Sequence, residues 1–233
     1  MNGGSVLQNH KELLMASADA VRETSEIIIH YGRRLVADRL VIGSAGNISA
    51  RVAEKIVMTP TGVSYDRLTA TDICVLDADG RVLDGDGKRS SEWPMHRRIY
   101  DITDARAIVH THSRFAISVA AVCEELPAIH YSILRLGGPT VRVAPYSTFG
   151  SDGLAELAGK ALEGRTAALL QNHGAIAYGS SLEEAYERAL LLEWLAELYW
   201  RARLVGSPRI LDQAELDDVR SAAQRHRYQA GGA

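Results

Sequence analysis

Two β-type runs, Asn47–Val52 and Lys55–Met58, stand only two residues apart. The first alternates along its length. The second ends at Thr59-Pro60-Thr61-Gly62, a turn-forming cluster. Strands this close read as a hairpin, so antiparallel pairing is expected near the middle of the fold. Further strands are expected over Asp72–Asp77, over Arg81–Leu83 after the turn Asp79-Gly80, and over Ala107–His110, Thr140–Ala144, Ala167–Leu170 and Ala175–Tyr178.

Helical periodicity marks Leu13–Leu40, Trp93–Tyr100, Phe115–Val122, Gly153–Leu162, Leu182–Leu204 and Gln213–Arg225. Pro94 suits the first turn of its helix. Ser181 and Glu184 fit a capping box. The helix they open is apolar enough to be buried on more than one side. Asp84–Ser91 and Pro127–Gly138 read as loops. Residues 1 to about 10 read as a loose leader, and Gln229–Ala233 as a disordered tail. Short, near-sequential strands with flanking helices imply one α/β domain across residues 1–233. Its sheet would be mixed and largely antiparallel, its core would run from about 13 to 204, and a helix and tail would occupy 205–233.

Bulk properties exclude several classes. The net charge of −3 gives no electrostatic reason to expect nucleic acid or an anionic membrane as partner. No apolar run approaches the ~20 residues of a membrane span, and the polar start MNGGSVLQNH lacks a signal-peptide pattern. Cys74 and Cys123 lie in apolar runs and read as free thiols of a reducing compartment, so the cytoplasm is the expected location. Only four lysines are present, Lys11, Lys55, Lys88 and Lys160, against 22 arginines. Chemistry through a lysine Schiff base therefore has few candidates.

Three clusters carry the chemistry. In AIVHTHS, His110 and His112 project from the same face of a strand, as i and i+2 residues do, and such a pair can grip a divalent metal ion. His173, on the turn Gln171-Asn172-His173-Gly174 between two strands, is the candidate third ligand. Three histidines with an open position describe a catalytic zinc-type site. The second cluster is Ser90-Ser91-Glu92-Trp93-Pro94-Met95-His96. It can be an ordinary helix N-cap, or an anion site in which Glu92 is a proton-transfer base beside the metal. The third is the pair of small-residue turns Gly43–Asn47 and Thr59–Gly62. Each can be a plain turn or can present N–H groups to a phosphate. Neither is a P-loop or a dinucleotide fingerprint.

GSAGNISAR, MTPTGVSYDRL, SSEWPMH, IVHTHS, PAIHY, APYSTFG and LLQNHG occur in order at spacings that resemble those of the class II aldolase/adducin family. The resemblance covers roughly Leu13 to Leu204. It implies a three-layer α/β/α fold around a central mixed, largely antiparallel sheet, and reversible cleavage of a ketose 1-phosphate to dihydroxyacetone phosphate and an aldehyde. L-fuculose 1-phosphate or a 5-deoxy- or 5-substituted pentulose 1-phosphate would be the substrate. His110, His112 and His173 would bind Zn²⁺, with Mn²⁺ or Co²⁺ as other candidates. Glu92 would be the acid/base and would also approach the metal. Gly46, Asn47, Thr61, Gly62, Ser90 and Ser91 would hold the substrate phosphate. Tyr131 would assist at the aldehyde end, in a pocket with Phe115. A further tyrosine would come from the C-terminal tail of a neighbouring subunit; Tyr228 is the nearest candidate, with His226 closer under an ungapped alignment. The expected assembly is a homotetramer with sites at subunit interfaces. Within the family, 4-epimerases carry Asp where Glu92 stands, dehydratases lack the Ser-Ser-Glu stretch, and decarboxylases remain open. A non-catalytic adducin-like interaction module would be expected to lack the histidines.

Overall fold

The central hairpin forms as its spacing requires. In the computed structural model, which describes the backbone of residues 3–225 and side chains from residue 18 onward, helix α1 (Gly3–Ala37) leads into strands β1 (Asn47–Val52) and β2 (Lys55–Met58). These pair antiparallel from Ser49↔Met58 to Val52↔Lys55. The two-residue turn bends through Ala53, which takes a left-handed φ of 49° although it is not glycine. α1 begins ten residues earlier than the expected Leu13. Nothing between Ser5 and Lys11 breaks a helix, and polarity alone had made that stretch read as a leader.

The chain continues through β3 (Cys74–Leu76), β4 (Val82–Asp84), α2 (Trp93–Ile102), β5 (Ala107–Thr111), α3 (Arg114–Ala120), β6 (Glu125–Leu126) and β7 (Val141–Ala144). It closes with α4 (Asp152–Ala161), β8 (Ala167–Leu170), β9 (Gly174–Gly179), α5 (Leu182–Val205) and α6 (Gln213–Arg225). Short 3₁₀ turns occupy Ala70–Asp72 and Tyr131–Leu136, the latter where a plain loop was expected. β6 was not expected either. It is a two-residue edge strand, too short to show alternation.

The nine strands form one sheet in the order β4-β3-β2-β1-β5-β9-β8-β7-β6. Every pairing is antiparallel except β7 with β8, which α4 connects as a parallel step. Helices cover both faces, giving the three-layer α/β/α architecture. α1, α3 and α5 pack Ile28, Leu35, Val119, Tyr186, Leu192 and Leu195 against one face. α2 and α4 pack Met95, Ile99, Leu154 and Ala158 against the other. Strands covered on both sides read as unbroken apolar runs. In β8, Ala167 and Leu169 join the first core, while Ala168 and Leu170 join the second.

The capping signal at Ser181 is realised with a twist. Ser181 Oγ accepts the Glu184 N–H at 3.1 Å, but the Glu184 carboxylate reaches back to the N–H of Ser180, at 2.7 Å, rather than to that of Ser181. The expectation that α5 is buried on more than one side is not met within the single chain. It buries one stripe, from Leu182 to Ala196, and leaves Leu190, Trp194, Trp200 and Leu204 exposed. No described helix is long and apolar enough to cross a membrane.

Candidate metal centre and adjoining cavity

The site grows from the end of β5, at the centre of the sheet. His110 pairs with Asn47 of β1 on one side and Ile176 of β9 on the other. His112 lies one residue past the strand, and its N–H donates to Leu40 O at 3.0 Å. Two glycines let the backbones close in. A Cβ at Gly46 would stand 2.5 Å from His110 O, and one at Gly174 would stand 2.1 Å from Thr111 O. The turn before Gly174 passes through Asn172 at φ 55°, a left-handed conformation that asparagine tolerates. That turn brings His173 back over β5.

Glu92 arrives from the other layer. It occupies the N-cap position of α2, yet its side chain makes no capping bond. The carboxylate turns into the histidines instead. Glu92 Oε2 lies 2.9 Å from His110 Nε2, and Oε1 lies 3.2 Å from His173 Nε2. His110 Nε2 is 3.0 Å from His112 Nε2. The donor atoms of Glu92, His110, His112 and His173 all lie within 4.8 Å of one another.

The donor set fits a divalent cation. His110 Nδ1 stands 2.8 Å from Ala175 O, which as a carbonyl can only accept, so Nδ1 carries the hydrogen and the Nε2 lone pair of the neutral ring faces inward. His112 Nε2, 3.0 Å from His110 Nε2, must either donate a hydrogen to that lone pair or share a cation with it. Glu92 Oε1 and His173 Nδ1 are buried without a hydrogen-bond partner, and a buried polar atom left unpaired is costly. Burial would raise the Glu92 carboxyl, but His110 and His173 overturn this and hold it well below the ordinary carboxylate range. Burial would lower His110, but the Glu92 carboxylate outweighs it and pushes the ring up. Burial, reinforced by His110 and His173, pushes His112 down to about 3. The cluster is built around one positive charge, and three imidazoles with one carboxylate are ligands of the zinc and first-row transition-metal type.

A cavity of about 270 Å³ opens beside the cluster. Gly46, Asn47, Thr61, Ser90 and Ser91 line it, together with Glu92, His112 and His173. Gly62 follows Thr61 at φ 77°, with open space where a Cβ would stand. Thus the two small-residue turns and the Ser-Ser stretch do converge. Tyr146, Phe149 and Asn172 also line the cavity, and residue-by-residue reading had given them no part. Tyr131 and Phe115 do not line it. Tyr131 is half-exposed and stacks on His130, with ring centroids 4.3 Å apart. Phe115 packs against Trp200. Tyr228 and His226 lie outside the described residues.

A family model for the class II aldolase and adducin N-terminal domain matches residues 26–200. The chain belongs to the class II aldolase and adducin family. It is similar to 5-deoxy-D-ribulose 1-phosphate aldolase of Bacillus thuringiensis serovar kurstaki, 36% identical over 85% of this chain and 94% of that one. It is 40% identical to L-fuculose phosphate aldolase of Escherichia coli K12, over 71% of this chain and 77% of that one. A solved L-fuculose 1-phosphate aldolase superposes with a TM-score of 0.81 at 36% identity, covering 88% of this chain and 96% of that one. Within the family this chain is a class II aldolase, an aldehyde-lyase.

Proposed function

We propose that this class II aldolase reversibly cleaves a ketose 1-phosphate between C3 and C4, giving dihydroxyacetone phosphate and an aldehyde. The observation that carries the reading is the meeting of one buried carboxylate with three histidines at the wall of a cavity lined by glycines, serines and a threonine. His110, His112 and His173 hold Zn²⁺, with Glu92 approaching it when no substrate is bound. The metal, when bound, supplies Lewis-acid stabilisation of the negative charge that develops on the substrate's oxygens.

The remaining work belongs to the chain. Gly46, Asn47, Thr61, Gly62, Ser90 and Ser91 grip the phosphate through N–H and hydroxyl groups, remote from the bond that breaks, and so position the substrate. Breaking the C3–C4 bond releases the C4 hydroxyl proton as that oxygen becomes the aldehyde carbonyl, and leaves an electron pair at C3 that needs one proton, so the two transfers cancel. Glu92 delivers that proton to carbon, and in the synthetic direction removes it. Tyr131 and a tail residue of a neighbouring subunit, Tyr228 or His226, serve the aldehyde end. The exposed Trp194 and Trp200 of α5 support burial in a homotetramer. The free Cys74 and Cys123 suit the cytoplasm. A 5-deoxypentulose 1-phosphate competes with L-fuculose 1-phosphate as substrate, since the likeness to the 5-deoxyribulose enzyme spans more of the chain.

The test is condensation of dihydroxyacetone phosphate with lactaldehyde or acetaldehyde by the zinc-loaded enzyme. Product formation that EDTA abolishes and Zn²⁺ restores is expected. No product with zinc present, or activity that survives EDTA, would remove the proposal. Comparing kcat/KM for L-fuculose 1-phosphate and 5-deoxyribulose 1-phosphate then selects the substrate.

A further inference from the structure

Behind Glu92, two polar stripes interlock. On α2 and its cap, Glu92, His96 and Tyr100 recur every four residues and share one helix face. On β1, Asn47, Ser49 and Arg51 recur every two and share one strand face. The stripes alternate in space. Asn47 Nδ2 lies 2.8 Å from Glu92 Oε2, and Asn47 Oδ1 meets His96 Nε2. Ser49 Oγ lies 2.7 Å from His96 Nδ1 and 2.8 Å from Tyr100 Oη. Arg51 donates to Tyr100 O and lies over its ring, 4.8 Å from the centroid. Asn47, Ser49, His96 and Tyr100 are all buried.

This chain of bonds has one self-consistent direction. The Glu92 carboxylate can only accept, so Asn47 must present its NH₂ to Oε2. Asn47 Oδ1 is then an acceptor, and His96 Nε2 must carry a hydrogen. Burial above all, with His110 adding to it, pushes His96 down to about 3, so the ring is neutral and Nδ1 accepts. Ser49 therefore donates to His96 and accepts from Tyr100. A reversed amide would set Asn47 Oδ1 against Glu92 Oε2, two acceptors facing each other.

The consequence falls on Glu92. A hydrogen on Oε2 would confront the N–H of Asn47. Oε1 faces His173 Nε2 at 3.2 Å. We propose that His96 is a positioning residue for Glu92: by locking the Asn47 amide it commits Oε2 to accepting, and so fixes the orientation of the carboxylate whose Oε1 faces His173. This rests on the reading of Glu92 as the acid/base. It assigns the conformation of the carboxyl group, not the metal, to His96.

The test uses the zinc-loaded full chain with L-fuculose 1-phosphate and 5-deoxyribulose 1-phosphate. His96→Met has similar volume and no donor, whereas His96→Gln can return an amide N–H near the position of Nε2. For His96→Met we expect kcat to fall about 100-fold, the size of effect general acid–base catalysis supplies. Zinc content should be unchanged, and KM should rise far less than kcat falls, because Asn47 is one of several groups that grip the phosphate. His96→Gln should recover kcat to within about five-fold of wild type. Glu92→Gln is measured beside them. If it turns over normally, the acid/base reading falls. If Glu92→Gln is inactive while His96→Met keeps wild-type kcat, or loses zinc instead, the positioning role alone falls. If His96→Met does not fold, ¹⁵N-histidine NMR of wild type decides. A hydrogen on His96 Nε2 supports the proposal, and one on Nδ1 overturns it.

Discussion

α2 and α5 lie on opposite faces of the same sheet and meet it in opposite ways. α5 lays down an apolar stripe, with Leu182, Ala189, Leu192 and Leu195 buried against β5 and β9. α2 adds polar contacts that fit only one arrangement, with Glu92, His96 and Tyr100 each bonded across to β1. Apolar packing is nearly indifferent to direction and tolerates repacking. A buried polar contact specifies which atom faces which, and is costly when half-made. The α5 side should therefore set how firmly the chain folds, and the α2 side how accurately its carboxylate is aimed.

The comparison can be broken by variants that move both quantities together. The largest effect is expected for His112→Ala: zinc content falls and turnover drops by about 1000-fold or more, while the apo protein unfolds near the wild-type apo temperature. Unchanged zinc by elemental analysis would contradict the ligand assignment. On the other face, Leu195→Ala should cost about 2–5 kcal/mol of unfolding free energy, as a fully buried leucine does. Zinc bound per folded chain and kcat should be kept, so a loss of kcat in parallel would show that α5 also aims the site. Tyr100→Phe removes one hydroxyl from the polar stripe and leaves Ser49 without its donor. About 1 kcal/mol of stability and a several-fold loss of kcat are expected, read by denaturant melts and initial rates. The smallest change is Ala53→Gly, in the turn between β1 and β2. Relief of its left-handed φ should add up to about 1 kcal/mol of stability and leave kinetics untouched.

Much of the fold was legible because short-range patterns decide it. β1, β2 and α6 begin and end where their residues indicated. β6 was not legible, because its two residues owe their conformation to pairing with Val141 and Arg142. The surplus apolar surface of α5 was legible, but whether it meets this sheet or another surface is not written in periodicity. At the site, an i, i+2 spacing was enough to pair His110 with His112. Glu92 was open between first-turn acid and base; its side chain makes no capping bond and faces His110 and His173, while Ser90 Oγ accepts the Glu92 N–H. His96 closes the same cluster one turn after Glu92, yet the sequence assigns it no role. Its partner Asn47 lies 49 positions away in sequence, and no local rule joins them. Tyr146, Phe149 and Asn172 reach the cavity for the same reason: the sheet order, not the neighbouring sequence, brings their loops to its mouth.

The stretch from Leu40 to Gly46 holds the backbone of both strand histidines, through the His112 N–H bonded to Leu40 O and the close approach of Gly46 to His110 O. It acts as a spacer gauge between the first helix and the two histidines. A one-residue insertion at 41–45 would be passed to the spacing of the two imidazoles while Ile28 and Leu35 of α1 keep their places in the hydrophobic core.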